Sequence, residues 1–286
     1  MALESIITNV DANIALQSLS NTQTQLAATE KQISTGYAVA DATDNGAAYA
    51  IAQRVRSDVG ALTSANQQLG NVQGLLSVTV SGLNDVSNLM NSARDVLVKL
   101  ADGNTQGTQR TQYIQQYQSL LSNIKSDVQN ADYNGKTLIG NITGSVGTIG
   151  AVNVVTNEVG NTYNIGTYSG SKLYNSINFT GTQLGSATSV AALIGTSATG
   201  ATFMNQLNAL GTALNTYGAA TNYVTNQVNY NTDKITALND GLGALVDANL
   251  AQESAKLQSL QIQQQLGTQA LSIANQAPSS LLALFR

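Results

Sequence analysis

Asp41-Ala42-Thr43-Asp44-Asn45-Gly46 places two carboxylates, an amide and a glycine at the spacing of the first half of a calcium loop. The twelfth position of such a loop supplies a bidentate glutamate; here it is Ala52, so the stretch reads as a turn, with Asp44 capping the helix that follows. Gly241-Leu242-Gly243 lacks the third glycine of a dinucleotide fingerprint and follows a helical pattern instead of a strand, so it reads as a break between two helical phases. Glycoside hydrolysis needs two carboxylates at a fixed separation in a cleft. Asp85, Asp95, Asp127, Asp233 and Asp240 are instead scattered along helical patterns, as solvated faces. The chain has neither His nor Cys, which removes the usual zinc sites, thiol nucleophiles and histidine acid–base chemistry. No catalytic residue, metal or cofactor is expected, and the chain does not read as an enzyme.

The remaining polar chemistry is neutral. Charged residues make up 10% of the 286, well under the roughly 25% of an average soluble domain, and Asn, Gln, Ser and Thr take their place. Repulsion between identical copies is therefore weak. A net charge of −4 without a basic face argues against nucleic acid, which needs clustered Lys and Arg to displace counterions. No window of about 18 apolar residues offers a membrane span, and MALESIITNVDANIAL lacks the basic and apolar regions of a cleaved signal, so export would take another route. The sequons Asn141-Ile142-Thr143 and Asn178-Phe179-Thr180 carry little weight without a glycosylating context. The Ser and Thr of 141–202 are either plain β and turn residues or acceptors for O-linked sugar. Tyr supplies 11 aromatic residues, which suits half-wet packing.

The dominant signal along the chain is a seven-residue repeat. Val55, Leu62, Leu69, Leu76, Leu83, Met90 and Leu97 recur in sevens, with Ala65, Val72, Val86, Ala93 and Leu100 three residues after five of them. The pattern predicts one helix of about 55 residues, stopped at Asp102-Gly103 and about 80 Å long at 1.5 Å per residue. Glycines 60, 70, 74 and 82 each cost up to about 1 kcal/mol there, so packing must hold the helix. Two partners are available. A short helix carries Tyr113, Tyr117, Leu120, Ile124 and Val128, and a long one runs from Phe203 to Leu245 in steps of four and three, with only Thr221 and Asn231 polar in its seam. Such polar positions suit a register device. Between these helices, Asn134-Gly135 is a turn signal, and Ala151–Thr156 and Thr162–Tyr168 read as the strands of a small inserted β-hairpin region. The expected fold is mainly α: a long coiled-coil helical hairpin rod with paired terminal helices.

Both ends are amphipathic. Leu3, Ile7, Val10 and Ile14 share one face and, after a phase shift, so do Leu19, Leu26 and Ile33, until Ser34-Thr35-Gly36 stops the helix. At the other end, Leu250, Leu257, Leu260, Leu271 and Ile273 lead to Leu281, Leu282, Leu284 and Phe285, with Pro278 expected to interrupt or restart the helix. Each end can cover part of the other's apolar face, and the rest calls for other copies.

Ile7-Thr8-Asn9, Ala12, Ala15, Leu19, Leu26, Glu30, Ser34-Thr35-Gly36, Ala42, Asp44, Ala50-Ile51-Ala52 and Arg54 resemble the N-terminal region of bacterial flagellin. Tyr133-Asn134-Gly135 with Leu138 is similar to the family's aromatic-Asn-Gly turn. Asp247 through Ser254, Gln261-Ile262, Gln269, Asn275 and Leu281-Leu282-Ala283-Leu284-Phe285-Arg286 resemble its C-terminal region, most like that of alphaproteobacteria. The resemblance implies an inner domain of residues 1–40 and 247–286, a helical rod of 41–140 and 201–246, and a variable insert of 141–200. It implies a structural subunit that polymerises into the extracellular flagellar filament for swimming, with the apolar residues of both ends packing between subunits. The implied partners are other copies, an export chaperone, the type III export apparatus, and cap and hook-associated proteins. A hook–filament junction protein is the alternative, and an adhesin or enzyme on a helical stalk a more distant one. Many flagellins present an Arg, a Leu and a Glu to an animal Toll-like receptor; those places fall at Ser92, Val96 and Gln116, which depart from the pattern and imply weak or absent activation.

Overall fold

The computed structural model describes residues 9–195 and 202–284, with side chains through Gln276. Its described residues form seven helices and four short strands: α1 Val10–Thr35, α2 Ala42–Ala101, α3 Gly107–Asn130, β1 Lys136–Thr137, β2 Thr148–Ile149, β3 Val152–Val155, β4 Thr162–Ile165, α4 Gly170–Ile177, α5 Ala187–Ile194, α6 Phe203–Val246 and α7 Leu250–Leu284. The mainly helical fold with paired terminal helices and a small hairpin follows the sequence reading. The chain divides into two compact units, Met1–Asp58 with Thr236–Arg286, and Val59–Ile235.

In the Val59–Ile235 unit the seven-residue repeat is the core. Leu62, Leu69, Leu76, Leu83, Met90 and Leu97 are fully buried, and Thr79 fills the one place within this unit where an apolar residue three steps on is missing. Its hydroxyl is satisfied by donating to Leu75 O at 2.7 Å, which is how a β-branched polar residue survives in a seam. Tyr117, Leu121, Ile124 and Val128 of α3 and Phe203, Leu210, Tyr217 and Val224 of α6 join the same apolar cluster. Leu121 is more buried than the expected Leu120.

The β-turn forms where Asn134-Gly135 signals it. Asn134 and Gly135 both have positive φ, and Tyr133 and Lys136 exchange two backbone hydrogen bonds. β3 and β4 pair antiparallel, with Val152 opposite Ile165, and the Tyr163 and Tyr223 rings stack at 4.1 Å to hold the hairpin on α6. The insert is not only β. α4 and α5 follow the hairpin, capped by Ser169, which accepts from Lys172 N, and by Ser186, which accepts from Ser189 N. Arg110 donates to Leu100 O at 2.8 Å, Thr105 O at 3.0 Å and Leu184 O at 2.8 Å, closing the end of α2 and tying the insert to it.

Two local expectations are corrected. Asn45, not Asp44, caps the long helix: Asn45 is extended at φ −159, ψ 101, and its Oδ1 accepts from Ala48 N at 3.1 Å. Asp44 lies one residue outside and accepts from Lys31 instead. Nor does Pro278 break the final helix, since α7 runs through it from Leu250 to Leu284. Gly36, at φ +75, ends α1 as expected.

Candidate interaction surface

The carboxylates of the calcium-like loop are engaged by the chain itself. Lys31 Nζ lies 2.7 Å from Asp41 Oδ2 and 2.8 Å from Asp44 Oδ1, so the two carboxylates of the calcium-like loop already hold a cation from their own chain. Hydrogen bonds from Lys31 lower both acids below the usual carboxylate range and raise the lysine. Among the described residues, no three His, Cys, Asp or Glu side chains gather to hold a metal. A cavity of about 490 Å³ between β4 and α6 is lined by Tyr163, Tyr168, Tyr217, three alanines and neutral polar groups, with no carboxylate or ammonium for acid–base work. Burial pushes Tyr217 up to about 12 and raises Tyr168, so both hydroxyls stay protonated at neutral pH. Tyr217 uses its proton on backbone oxygen, with Gly166 O at 3.0 Å and Leu138 O at 3.3 Å.

What stands out is the pairing of α1 with α7. Three ties fix it as antiparallel: Asn9 Nδ2 donates to Ala274 O at 2.7 Å, Gly267 packs on Leu19, and Ala248 N donates to Gly36 O at 2.9 Å. On α1, shielded positions recur in alternating steps of three and four at Ala12, Ala15, Leu19, Thr22, Leu26, Thr29 and Ile33. On α7 they recur at Glu253, Leu257, Leu260, Gln264, Gly267, Leu271 and Ala274, with the same alternation. Gly267 is small for a reason: a Cβ there would lie 3.2 Å from Leu19 Cδ1. At the other end of the pair, Ala38 N donates to Val246 O, and Tyr37 bridges Asp247.

This pairing sorts the apolar residues singled out in the sequence. Leu19, Leu26, Ile33, Leu257, Leu260 and Leu271 lie on the shielded side, covered within one chain. Val10, Ile14, Leu250 and Ile273 stay exposed, Ile273 at 69%. Leu16, Ile262 and Leu266, which the seam pattern passes over, join them at 53% to 58%. Their signal is that they are apolar yet out of phase with the three-four seam. Leu3, Ile7 and Phe285 lie outside the described residues, as do the side chains of Leu281, Leu282 and Leu284. From Leu257 to Leu284, α7 carries no charge, and Gln261, Gln263, Gln265 and Gln269 are exposed beside its apolar row. Of the receptor-related positions, Ser92 and Gln116 are exposed and Val96 is 2% exposed, inside the α2 core. No helix among the described residues is long and apolar enough to cross a membrane.

The family model of the bacterial flagellin N-terminal helical region matches residues 6–143, and that of the C-terminal helical region matches 201–285. The chain is 32% identical to the flagellin FljM of Caulobacter vibrioides over the whole of both chains. It is 31% identical to a flagellin of Brucella melitensis, covering 99% of this chain and 100% of that one. A solved structure of a protein described as flagellar hook-associated, from Vibrio parahaemolyticus, overlays at a TM-score of 0.59 and 16% identity, covering 71% of this chain and 100% of that chain, which speaks to the shared fold alone. The helical sequence signatures, the paired ends and these matches agree: the chain belongs to the bacterial flagellins.

Proposed function

We propose that this flagellin, a structural subunit of the flagellar filament, assembles through the rows of apolar residues that the α1–α7 pair leaves uncovered. One observation carries the reading. Val10, Ile14 and Leu16 on α1, and Leu250, Ile262, Leu266 and Ile273 on α7, are large, apolar and about half or more exposed on helices with few charges. Burying each side chain between copies stabilises by about 1.5–3 kcal/mol, enough in sum to offset the cost of association. The nearby glutamines supply uncharged hydrogen bonding, so packed copies bury no unpaired charge.

The family resemblance extends the reading. An export chaperone holds the C-terminal region before assembly, the type III apparatus carries the chain out, and cap and hook-associated proteins meet it at the filament. The chain itself acts mechanically and has no catalytic step. Ser92, Val96 and Gln116 stand where receptor-activating flagellins carry Arg, Leu and Glu. A receptor reporter in animal cells is expected to stay near background with this chain and to rise when all three are restored.

Removal of residues 261–286 tests the assembly reading. The truncated chain is expected to stay monomeric when offered to filament seeds that the full chain elongates; truncated protein that elongates seeds would end it. The same assay separates a filament subunit from a junction protein, which would not elongate over long distances.

A further inference from the structure

Pro278 sits inside α7, four residues after Ala274. In a helix the carbonyl of residue i accepts from the N–H of residue i+4, and proline has none, so Ala274 O loses its usual donor. That is the oxygen to which Asn9 Nδ2 donates at 2.7 Å. The other end of the same amide is also engaged, because Asn9 Oδ1 accepts from Ala12 N at 2.9 Å and caps α1. One side chain thus satisfies an open donor at the start of α1 and an open acceptor in α7, and it can do both only in one register of the pair.

We propose that Asn9 and the carbonyl released by Pro278 form a register lock: a recognition site in α7 that takes a primary amide from α1 and fixes how the terminal helices align. The seam beside Asn9 is made of small side chains, Ala12 and Ala15 on α1 and Ala274 on α7, which fix the alignment of this end weakly. The other ties, the Leu19–Gly267 fit and the Ala248 N to Gly36 O bond, lie farther along the pair. Ala274 O is different, since a slipped α1 would leave a shielded acceptor without a partner. Alignment of the pair also decides whether Val10, Ile14 and Leu16 line up with Ile262, Leu266 and Ile273. The effect on assembly therefore rests on the function proposed above, while the lock itself does not.

The test is a suppressor cycle in the full chain. Asn9→Asp keeps an oxygen for the cap, and keeps it well placed at a helix N-terminus, but removes the donor to Ala274 O. Pro278→Ala returns a backbone N–H to that oxygen. Two readouts are taken. The first is elongation of wild-type seeds, followed by electron microscopy. The second is in-chain disulfide yield in a Leu19→Cys/Gly267→Cys background; a Cβ at 267 lies 3.8 Å from Leu19 Cβ, within disulfide range, and the chain has no other cysteine.

Asn9→Asp is expected to slow elongation about tenfold and to lower the disulfide yield, and adding Pro278→Ala should restore both to the level of Pro278→Ala alone. Asn9→Asp behaving as wild type in both readouts would overturn the lock. So would a double variant as impaired as Asn9→Asp, which would place the role of Asn9 elsewhere than the released carbonyl. If the wild-type chain fails to elongate its own seeds, the filament reading falls, and the disulfide yields still decide the lock.

Discussion

Asn231 Nδ2 donates to Asn66 Oδ1 at 2.9 Å, joining α6 to α2 inside the Val59–Ile235 unit, where Asn231 is fully buried. The same amide nitrogen reaches Thr156 O at 2.9 Å, and Asn231 Oδ1 accepts from Gln227 Nε2 at 2.9 Å. Every polar atom of the side chain is therefore used. The residue that breaks the apolar rhythm of α6 ties both long helices to the end of the hairpin. Asn231→Leu would leave Asn66 Oδ1 without this donor and is expected to cost about 1–3 kcal/mol of monomer stability in urea denaturation, despite the added apolar volume. An unchanged midpoint would show that the network adds nothing.

Two glycine substitutions should move stability in opposite directions. Gly70 lies on α2 with open space where a Cβ would be, so Gly70→Ala should stabilise the monomer by about 0.5–1 kcal/mol through helix propensity alone. Gly170 opens α4 against backbone: a Cβ there would fall 2.2 Å from Ile139 O and 3.0 Å from Gly140 O, with Val128 Cγ1 also in the way. Gly170→Ala should destabilise by about 1–3 kcal/mol, because the carbonyls cannot move aside as a side chain could. Thermal unfolding of both variants checks the pair of signs.

Asp127 gives a pH-dependent prediction. Burial, with the nearby charge of Asp85 adding to it, raises its pKa above the ordinary 3.8. The folded state thus holds this proton more tightly than the unfolded state, so the carboxylate opposes folding at pH above its raised value. That penalty fades as pH falls from the raised value through 3.8 and is gone well below it, where both states are protonated. Asp127→Asn should therefore raise monomer stability at pH 7, with the gain shrinking as pH falls through the raised value and vanishing well below 3.8. Glu158 has the opposite sign: the hydrogen bond from Lys234 lowers its pKa, so its contribution holds at neutral pH and is lost on acidification. Urea midpoints across pH for Asp127→Asn and Glu158→Gln should diverge accordingly.

These features were unequally legible in the sequence. The seams of α2 and α6 can be read because a seven-residue period persists only where one face stays buried, and Asn134-Gly135 because its turn demands positive φ. α4 and α5 escape, since eight residues such as GSKLYNSI and ATSVAALI span barely two turns, too few for a period to show; Ser169 and Ser186 were the available signals. The fate of Pro278 depends on a partner 269 residues away in the chain, which no local rule sees. The apolar ends were visible as a whole. Their division into a covered seam and an exposed row was not, because it depends on which residues α1 and α7 use on each other.

That division yields the sharpest prediction about assembly. Leu266 is 58% exposed, immediately before Gly267, which packs on Leu19, whereas Leu260 is 4% exposed inside the pair. A Gln at 266 would match its neighbours Gln263 and Gln265 and disturb no covered contact, so monomer stability should change by less than about 0.5 kcal/mol. If the outer row packs between copies, the same change removes about 1.5–3 kcal/mol of burial at each contact, slowing seeded elongation by roughly ten- to a hundredfold. Leu260→Gln should instead loosen the α1–α7 pair itself and lower the Leu19→Cys/Gly267→Cys disulfide yield, which Leu266→Gln should leave unchanged. A folded Leu266→Gln chain that elongates seeds at the wild-type rate would remove the outer row of α7 from the assembly surface and leave the exposed residues of α1 to account for it.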